Sequence, residues 1–338
     1  MGKRIRVLAI NACVTAVALV NLSNQKCFGF TLYDNQQVTI NTMEGGHGYL
    51  YDNSTAFIIN GGFVGHGFTY DYSSIKISGG KVGYLNAYNH SSVNISGGNA
   101  DCLYAYNSTY VNITGGGSTF FSAYDSSNIN IFGGSVTFFE VDSFVNIYKG
   151  SINHLRTYKT SRANIYGGNM TWLDSYNYSS VNISNTNMNW LTSHDYSSIN
   201  IYGGIVYSFK VYDFSFANVY NGNIDYLYTY SSMNIYNSRN PATKNYSSVN
   251  LYGGNMRNLY AHDFSLITFY GKNFELGEGL SLDGNRILGT GYLRGEWMDG
   301  TWWTTNIRMN DLSSSIRIIP EPATICLFGL ASLILRKK

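Results

Sequence analysis

An apolar–Asn–apolar pattern recurs along most of the chain at nearly constant spacing. Successive asparagines stand 18 or 16 residues apart: Asn94, Asn112, Asn130, Asn146, Asn164, Asn182, Asn200, Asn218, Asn234 and Asn250. Lys76 and Thr268 extend this column by 18 residues at its two ends, and Ile58 extends it by a further 18. Such regularity indicates a repeat architecture, in which each repeat is one structural unit.

Each repeat predicts two strands and two corners. Alternation such as Ile199-Asn200-Ile201 is typical of a half-buried strand with the apolar side chains inward and the asparagine outward. A glycine pair usually follows, as at Gly97-Gly98, and predicts a corner because glycine adopts positive φ without strain. A second strand then follows, as at residues 103–106. An Asx-Ser corner ends this strand in each repeat, and residues 71–74 are the example from an earlier repeat.

One repeat of 18 residues cannot bury its own apolar side chains, whereas stacked repeats can. We therefore predict an all-β fold, a single-stranded parallel β-helix (β-solenoid) of about 13 coils with an 18-residue repeat over residues 31–271. The 16-residue steps fit, because removing two residues keeps every side chain on its face. Asn240-Pro241 predicts an irregular coil, since proline donates no ladder hydrogen bond.

The repeat stops after residue 271. Residues 272–318 contain short strand-like runs separated by glycine turns and predict a small C-terminal β cap. An uncapped solenoid exposes an unpaired strand edge, which promotes aggregation. Trp297, Trp302 and Trp303 are therefore expected to cover the last coil.

The N-terminus predicts export. Lys3, Arg4 and Arg6 precede an apolar run over residues 7–20. This run is shorter than the roughly 20 apolar residues of a membrane span, so we interpret residues 1–30 as a secretory signal peptide. A plain N-terminal anchor is the alternative.

The C-terminus carries a Pro-Glu-Pro motif, a short apolar segment and a basic end, in that order. The residues concerned are Pro320, Glu321, Pro322, Arg336, Lys337 and Lys338. Residues 319–338 thus resemble the PEP-CTERM sorting signal of bacterial surface proteins. The resemblance implies export across the inner membrane, transient anchoring by the tail, and an exosortase-type membrane protease as partner. A buried terminal helix with a solvated basic end is the alternative interpretation.

Composition narrows the function classes. Charged residues make up 12% of the chain, and the six basic residues near the termini account for its net charge of +2. Without these six residues, 16 basic and 20 acidic residues remain, and this negative balance argues against nucleic-acid binding. The four cysteines form neither a disulfide framework nor a CxxC metal motif.

The outward columns are the candidate functional surface. Stacked identical side chains form amide ladders and aromatic stacks that stabilise the coils. The alternative is a surface for polysaccharide, because tyrosine offers an apolar face and a hydroxyl group. The candidate residues are Asn94, Asn112, Asn130, Asn164, Asn182, Asn200, Tyr166, Tyr202 and Tyr220.

The sequence predicts no catalytic residue, cofactor or metal site. Glycosidases need carboxyl groups that converge on one bond. The repeated aspartates, such as Asp71 and Asp195, share a column with Asn107 and Lys159, so this column serves a turn. We therefore expect a non-enzymatic, exported cell-envelope protein with a structural or adhesive function, whose further partners are extracellular polysaccharide or another copy of itself. An extracellular polysaccharide-binding or polysaccharide-degrading β-helix protein is the alternative.

Overall fold

The described part of the chain is a parallel stack of β-strands. The computed structural model describes residues 19–21, 29–229, 231–236, 238–243, 248–253, 258–261, 265–309 and 315–320, and no helix occurs among them. Parallel coils about 18 residues apart form a β-solenoid of about 12 turns. The predicted fold class is therefore confirmed.

The strands divide into those of the coils and those of the C-terminal region. The coil strands are β1 (Leu19–Asn21), β2 (Gly29–Leu32), β3 (Gln37–Ile40), β4 (Met43–Leu50), β5 (Thr55–Ile58), β6 (Phe63–Thr69), β7 (Ser74–Ala87), β8 (Ser92–Ala105), β9 (Tyr110–Ile113), β10 (Gly117–Ala123), β11 (Asn128–Ile131), β12 (Ser135–Val141), β13 (Phe144–Ile147), β14 (Ser151–Thr157), β15 (Arg162–Ile165), β16 (Asn169–Ser175), β17 (Ser180–Ile183), β18 (Thr186–Ser193), β19 (Ser198–Ile201), β20 (Gly204–Val211), β21 (Phe216–Val219), β22 (Gly222–Thr229), β23 (Ser232–Ile235), β24 (Ser238–Thr243), β25 (Ser248–Leu251), β26 (Asn258–Ala261) and β27 (Leu266–Leu276). The C-terminal strands are β28 (Leu280–Asp283), β29 (Arg286–Gly289), β30 (Gly291–Glu296), β31 (Trp302–Met309) and β32 (Ser315–Pro320).

A typical coil contributes one short and one long strand. Short strands pair only with short strands along the regular coils, as β9 pairs with β11 and β11 with β13. Long strands pair with long strands in the same way, as β10 pairs with β12. The short strands build what we call the Asn face, and the long strands build what we call the long-strand face.

The core is a set of inward columns between the two faces. Ile113 and Ile131 are fully buried from the short strands, and Leu103 and Ala105 are fully buried from a long strand. Burying a side chain the size of isoleucine contributes about 1.5–3 kcal/mol. Since one coil presents only a few such side chains, its stability depends on the coils above and below.

The Asx-Ser corner uses the left-handed backbone conformation, which Asp and Asn tolerate better than most residues. Asp71 has φ of 57°, and Asn107 and Lys159 have φ of 55° and 51° at the equivalent positions. The first serine of the corner turns inward. Ser73 Oγ accepts a hydrogen bond from the Tyr70 amide and donates one to the Leu50 carbonyl, so it ties two coils together.

Two local features concern the register predicted from the repeat. The placement of Ile58 in the Asn column is wrong, because Phe57 pairs with Lys76 and Ile58 is buried. The corner at residues 59–62 holds four residues where the next coil has three, which shifts the spacing by one. The irregular coil at Asn240-Pro241 is confirmed by a register shift between β22 and β24.

The C-terminal region continues the parallel stack, with β31 on β26 and β32 on β27, and adds antiparallel strands beside it. Strand β30 pairs antiparallel with β27 and β31, and β28 and β29 form a hairpin. Trp303 stacks on Phe269 at 4.8 Å and on Trp297 at 4.7 Å, so two tryptophans cover the core as expected. Trp302 does not, because it lies exposed under the Arg294 guanidinium.

The two predicted sorting segments lie mostly outside the described residues. Residues 1–18 and 22–28 of the predicted signal peptide are not described, whereas β1 pairs with β3 and β2 begins at Gly29. Strand β32 includes Pro320 of the sorting motif, and Glu321, Pro322, Arg336, Lys337 and Lys338 lie outside the described residues. No described segment forms an apolar helix of membrane-spanning length.

Candidate functional site

The asparagines of the repeat form one hydrogen-bonded column, the Asn ladder (Asn94, Asn112, Asn130, Asn146, Asn164, Asn182, Asn200, Asn218, Asn234 and Asn250). From Asn112 onward, each Nδ2 donates to the Oδ1 of the asparagine one coil before it, at 2.8–3.4 Å. Each internal amide thus uses its carbonyl and one N–H within the ladder. The six predicted surface asparagines bond to the ladder, which leaves them few groups for a ligand.

The three predicted surface tyrosines lie beside the Asn ladder in two separate stacks. Tyr166 stacks on Tyr148 at 5.1 Å, and Tyr202 stacks on Tyr220 at 4.9 Å. Ser184 occupies the coil between them and interrupts the column. Tyr220 lies inside its stack, with Tyr202 and Tyr236 against its two faces, whereas Tyr166 and Tyr202 each end a stack next to Ser184.

A further aromatic column stands immediately before the Asx-Ser corner, and we call it the corner column. Its tyrosines stack at 4.9–5.2 Å from Tyr33 to Tyr124. Asp142 interrupts the column in a 16-residue coil, where the Lys159 ammonium group bonds to its carboxylate. The column resumes with Tyr158 and Tyr176, which stack at 5.4 Å. Burial and the neighbouring hydroxyl groups raise the pKa of Tyr106 above its ordinary value of 10.0.

The structure brings together charged and polar side chains that the sequence analysis does not single out. This polar cluster consists of Glu140, His154, Arg156, Asp174 and Thr192 on the long-strand face. His154 Nε2 lies 2.7 Å from Asp174 Oδ2, and Thr192 Oγ1 donates to Asp174 Oδ1 at 2.6 Å. Arg156 Nη1 lies 3.8 Å from Glu140 Oε1, and its Nε lies 3.9 Å from Asp174 Oδ2.

The strand register explains how these residues meet. Glu140, Arg156, Asp174 and Thr192 are paired in successive long strands and form one outward column. The neighbouring column contains His154, whose ring is tilted by 50° to Trp172 instead of stacking on it. Aligning the long strands by the repeat length would have shown the charged column in the sequence. The bond from His154 to Asp174 depends on a side-chain rotation that no alignment shows.

The cluster lacks the geometry of a glycosidase. Arg156 lies between the carboxylates of Glu140 and Asp174, where a bond to be cleaved would have to lie. Asp174 already accepts hydrogen bonds from Thr192 and bonds to His154. The cluster is therefore better suited to hold polar groups in place than to transfer a proton.

A shallow groove of about 480 Å³ lies on the same face. Met170 and Met188 form its floor, and the exposed side chains of Asn169, Asn187 and Asn189 stand at its sides. Trp172 and Trp190 follow directly in the two strands, at 4.8 Å from each other. The exposed side chains of Ile205 and Tyr207 in the next coil also line the groove, and the tryptophan pair adjoins it.

No protein-family model, curated protein or solved structure matches this chain. Within the part of the chain that the structure describes, no group of three or more His, Cys, Asp or Glu side chains is placed to hold a metal ion.

Proposed function

We propose that this chain is an exported structural or adhesive protein of the cell envelope, without enzymatic activity. The observation that carries the proposal is the Asn ladder, in which successive coils bond to one another through their outward side chains. Interactions of this kind stabilise stacked β-structures. They suit a protein whose task is to hold a long, regular surface.

The terminal segments support a location in the cell envelope. The charged start and apolar run of residues 1–20 are typical of a secretory signal peptide. Residues 319–338 resemble the PEP-CTERM sorting signal, through which an exosortase-type membrane protease would process or anchor the chain. A surface with little charge and many amides, hydroxyls and aromatic rings suits polysaccharide or a neighbouring copy as the contact outside the cell.

A polysaccharide-degrading β-helix enzyme is the second candidate, because the polar cluster brings two carboxyl groups close to a histidine, although Arg156 lies between those carboxyl groups. Incubation of the full chain with a panel of polysaccharides, followed by assays for reducing ends and unsaturated products, distinguishes the two. We expect no product above the rate of a heat-denatured control. Product formation that Asp174→Asn abolishes, in a variant with an unchanged melting temperature, would establish the enzyme and refute the proposal.

A further inference from the structure

Two successive coils present nearly the same side chains to the groove. In the register of β16 and β18, Asn169 pairs with Asn187, Met170 with Met188, and Trp172 with Trp190. A duplicated set of groups at the spacing of one coil suits a ligand that itself repeats. The direction of that ligand would follow the solenoid axis.

The amides of the groove differ from those of the Asn ladder. Asn164 and Asn182 bond to asparagines on both neighbouring coils. The side chains of Asn169, Asn187 and Asn189 make no hydrogen bond to any described residue, although each is exposed at the groove. Each of these amides can therefore donate and accept hydrogen bonds with a ligand.

The tryptophan pair supplies an apolar contact at the edge of the groove. Trp190 is 37% exposed and Trp172 is 39% exposed. Ser208 follows Trp190 in the column, so the next coil contributes no ring to continue the stack. The indole face of Trp190 that points away from Trp172 is thus available to an apolar ring face, in contrast to rings inside the tyrosine stacks.

The charges next to the tryptophans select the kind of ligand. Asp174 and Arg156 lie in the adjacent column and interact with each other and with His154. Charges of both signs lie close together there, which favours neither a polyanion nor a polycation. An uncharged ligand with hydroxyl groups and an apolar ring face matches all of these features.

We propose that the groove and Trp190 form a binding site for a neutral polysaccharide. A sugar ring stacks on the free face of Trp190, and its hydroxyl groups bond to the amides of Asn187 and Asn189. Trp172 supports Trp190 from behind, and the site continues along the axis over Asn169. The site lies on the long-strand face, away from the Asn and Tyr residues that the sequence analysis selected. It rests on the proposed function, since polysaccharide is encountered outside the cell.

The test is binding of the full chain to cellohexaose, xylohexaose, mannohexaose and chitohexaose, measured by calorimetry. We expect at least one of these to bind, and Trp190→Ala to weaken that binding about tenfold or more, because aromatic side chains dominate such contacts. Asn187→Ala combined with Asn189→Ala is expected to weaken it as well, with no loss of melting temperature.

Tyr220→Ala is the matched control, since Tyr220 is a 38% exposed aromatic residue whose two ring faces stack on Tyr202 and Tyr236. It should leave the affinity unchanged. The proposal is overturned if none of the four oligosaccharides binds, if only a polyanion such as polygalacturonate binds, or if Tyr220→Ala and Trp190→Ala weaken binding equally. These results are independent of where the chain resides in the cell, so a failure of this site can be told from a failure of the proposed function.

Discussion

At the scale of single residues, an outward side chain in this fold matters through its counterparts one coil away. Asn164 donates to Asn146 and accepts from Asn182, so two of its bonds cross between coils. The alternation of apolar and polar residues predicts only that position 164 faces outward. It gives no reason for asparagine instead of serine, and the ladder supplies that reason because a serine side chain is too short to continue it.

Replacement of one ladder residue should therefore destabilise the fold more than replacement of an ordinary surface residue. We expect Asn164→Ala to lower the free energy of unfolding by about 1–3 kcal/mol, because it removes two hydrogen bonds and leaves half-buried partners unpaired. Denaturant unfolding measures this. Asn187→Ala, at an exposed asparagine without a bonded partner, should change stability by less than about 0.5 kcal/mol. Equal losses in the two variants would contradict the ladder.

At the scale of the elements, the strands were predictable and the corners only in part. Alternation identifies the short strands, and glycine pairs and Asx-Ser sequences mark where the chain turns. The sequence does not reveal that Ser73 turns inward to bond two coils, because serine is equally common on the surface of a turn. The four-residue corner at residues 59–62 also escapes prediction, since glycines and their neighbours permit corners of more than one length.

The corner column makes an element-level prediction about alkaline pH. Burial raises the pKa of Tyr51, Tyr70, Tyr106, Tyr158 and Tyr176 above the ordinary value of 10.0. A raised pKa in the folded state means that folding favours the neutral hydroxyl, so this stability is complete below pH 10 and is lost as pH rises through the folded pKa values.

We accordingly expect the melting temperature to fall above about pH 10, together with the absorbance change of tyrosinate formation. Tyr106→Phe combined with Tyr176→Phe should make this fall smaller, because two of the ionising groups are gone. A melting temperature that is independent of pH up to 12, or an equal fall in the Phe variant, would contradict the assignment to the corner column.

At the scale of the whole molecule, stability is a sum over coils and their contacts. Residues 165–182 comprise one repeat, and their removal joins Asn164 to Ile183 with every later side chain on its original face. We expect this variant to unfold cooperatively with a melting temperature within a few degrees of the parent. Circular dichroism during heating is the measurement.

The matched variant lacks residues 165–181, one residue fewer. It places an additional residue in a strand, which shifts the alternation by one position and brings asparagine toward the core. Its melting temperature should lie several degrees below that of the first variant. If the order is reversed, the inward and outward assignment of the strands is wrong.

The candidate site shows how far sequence reasoning extends at this scale. The columns of asparagine and tyrosine could be found because their residues repeat. The polar cluster and the groove involve positions where the residue type changes from repeat to repeat, such as Glu140 and Arg156. In a single sequence, a residue type selected for function cannot be told from one that is merely tolerated at an outward position. Only the strand register, together with the bonding state of each amide, separates asparagines that hold the coils from those open to a ligand.

Cell fractionation of the native host with intact-mass analysis of the isolated chain tests the proposed envelope function most directly. We predict that the chain is found with the envelope or outside the cell, and that its mass is lower than that of the full sequence by an N-terminal signal peptide. The mass also shows whether the tail that begins near Pro320 has been removed. A chain of full mass in the cytoplasm would contradict the proposal.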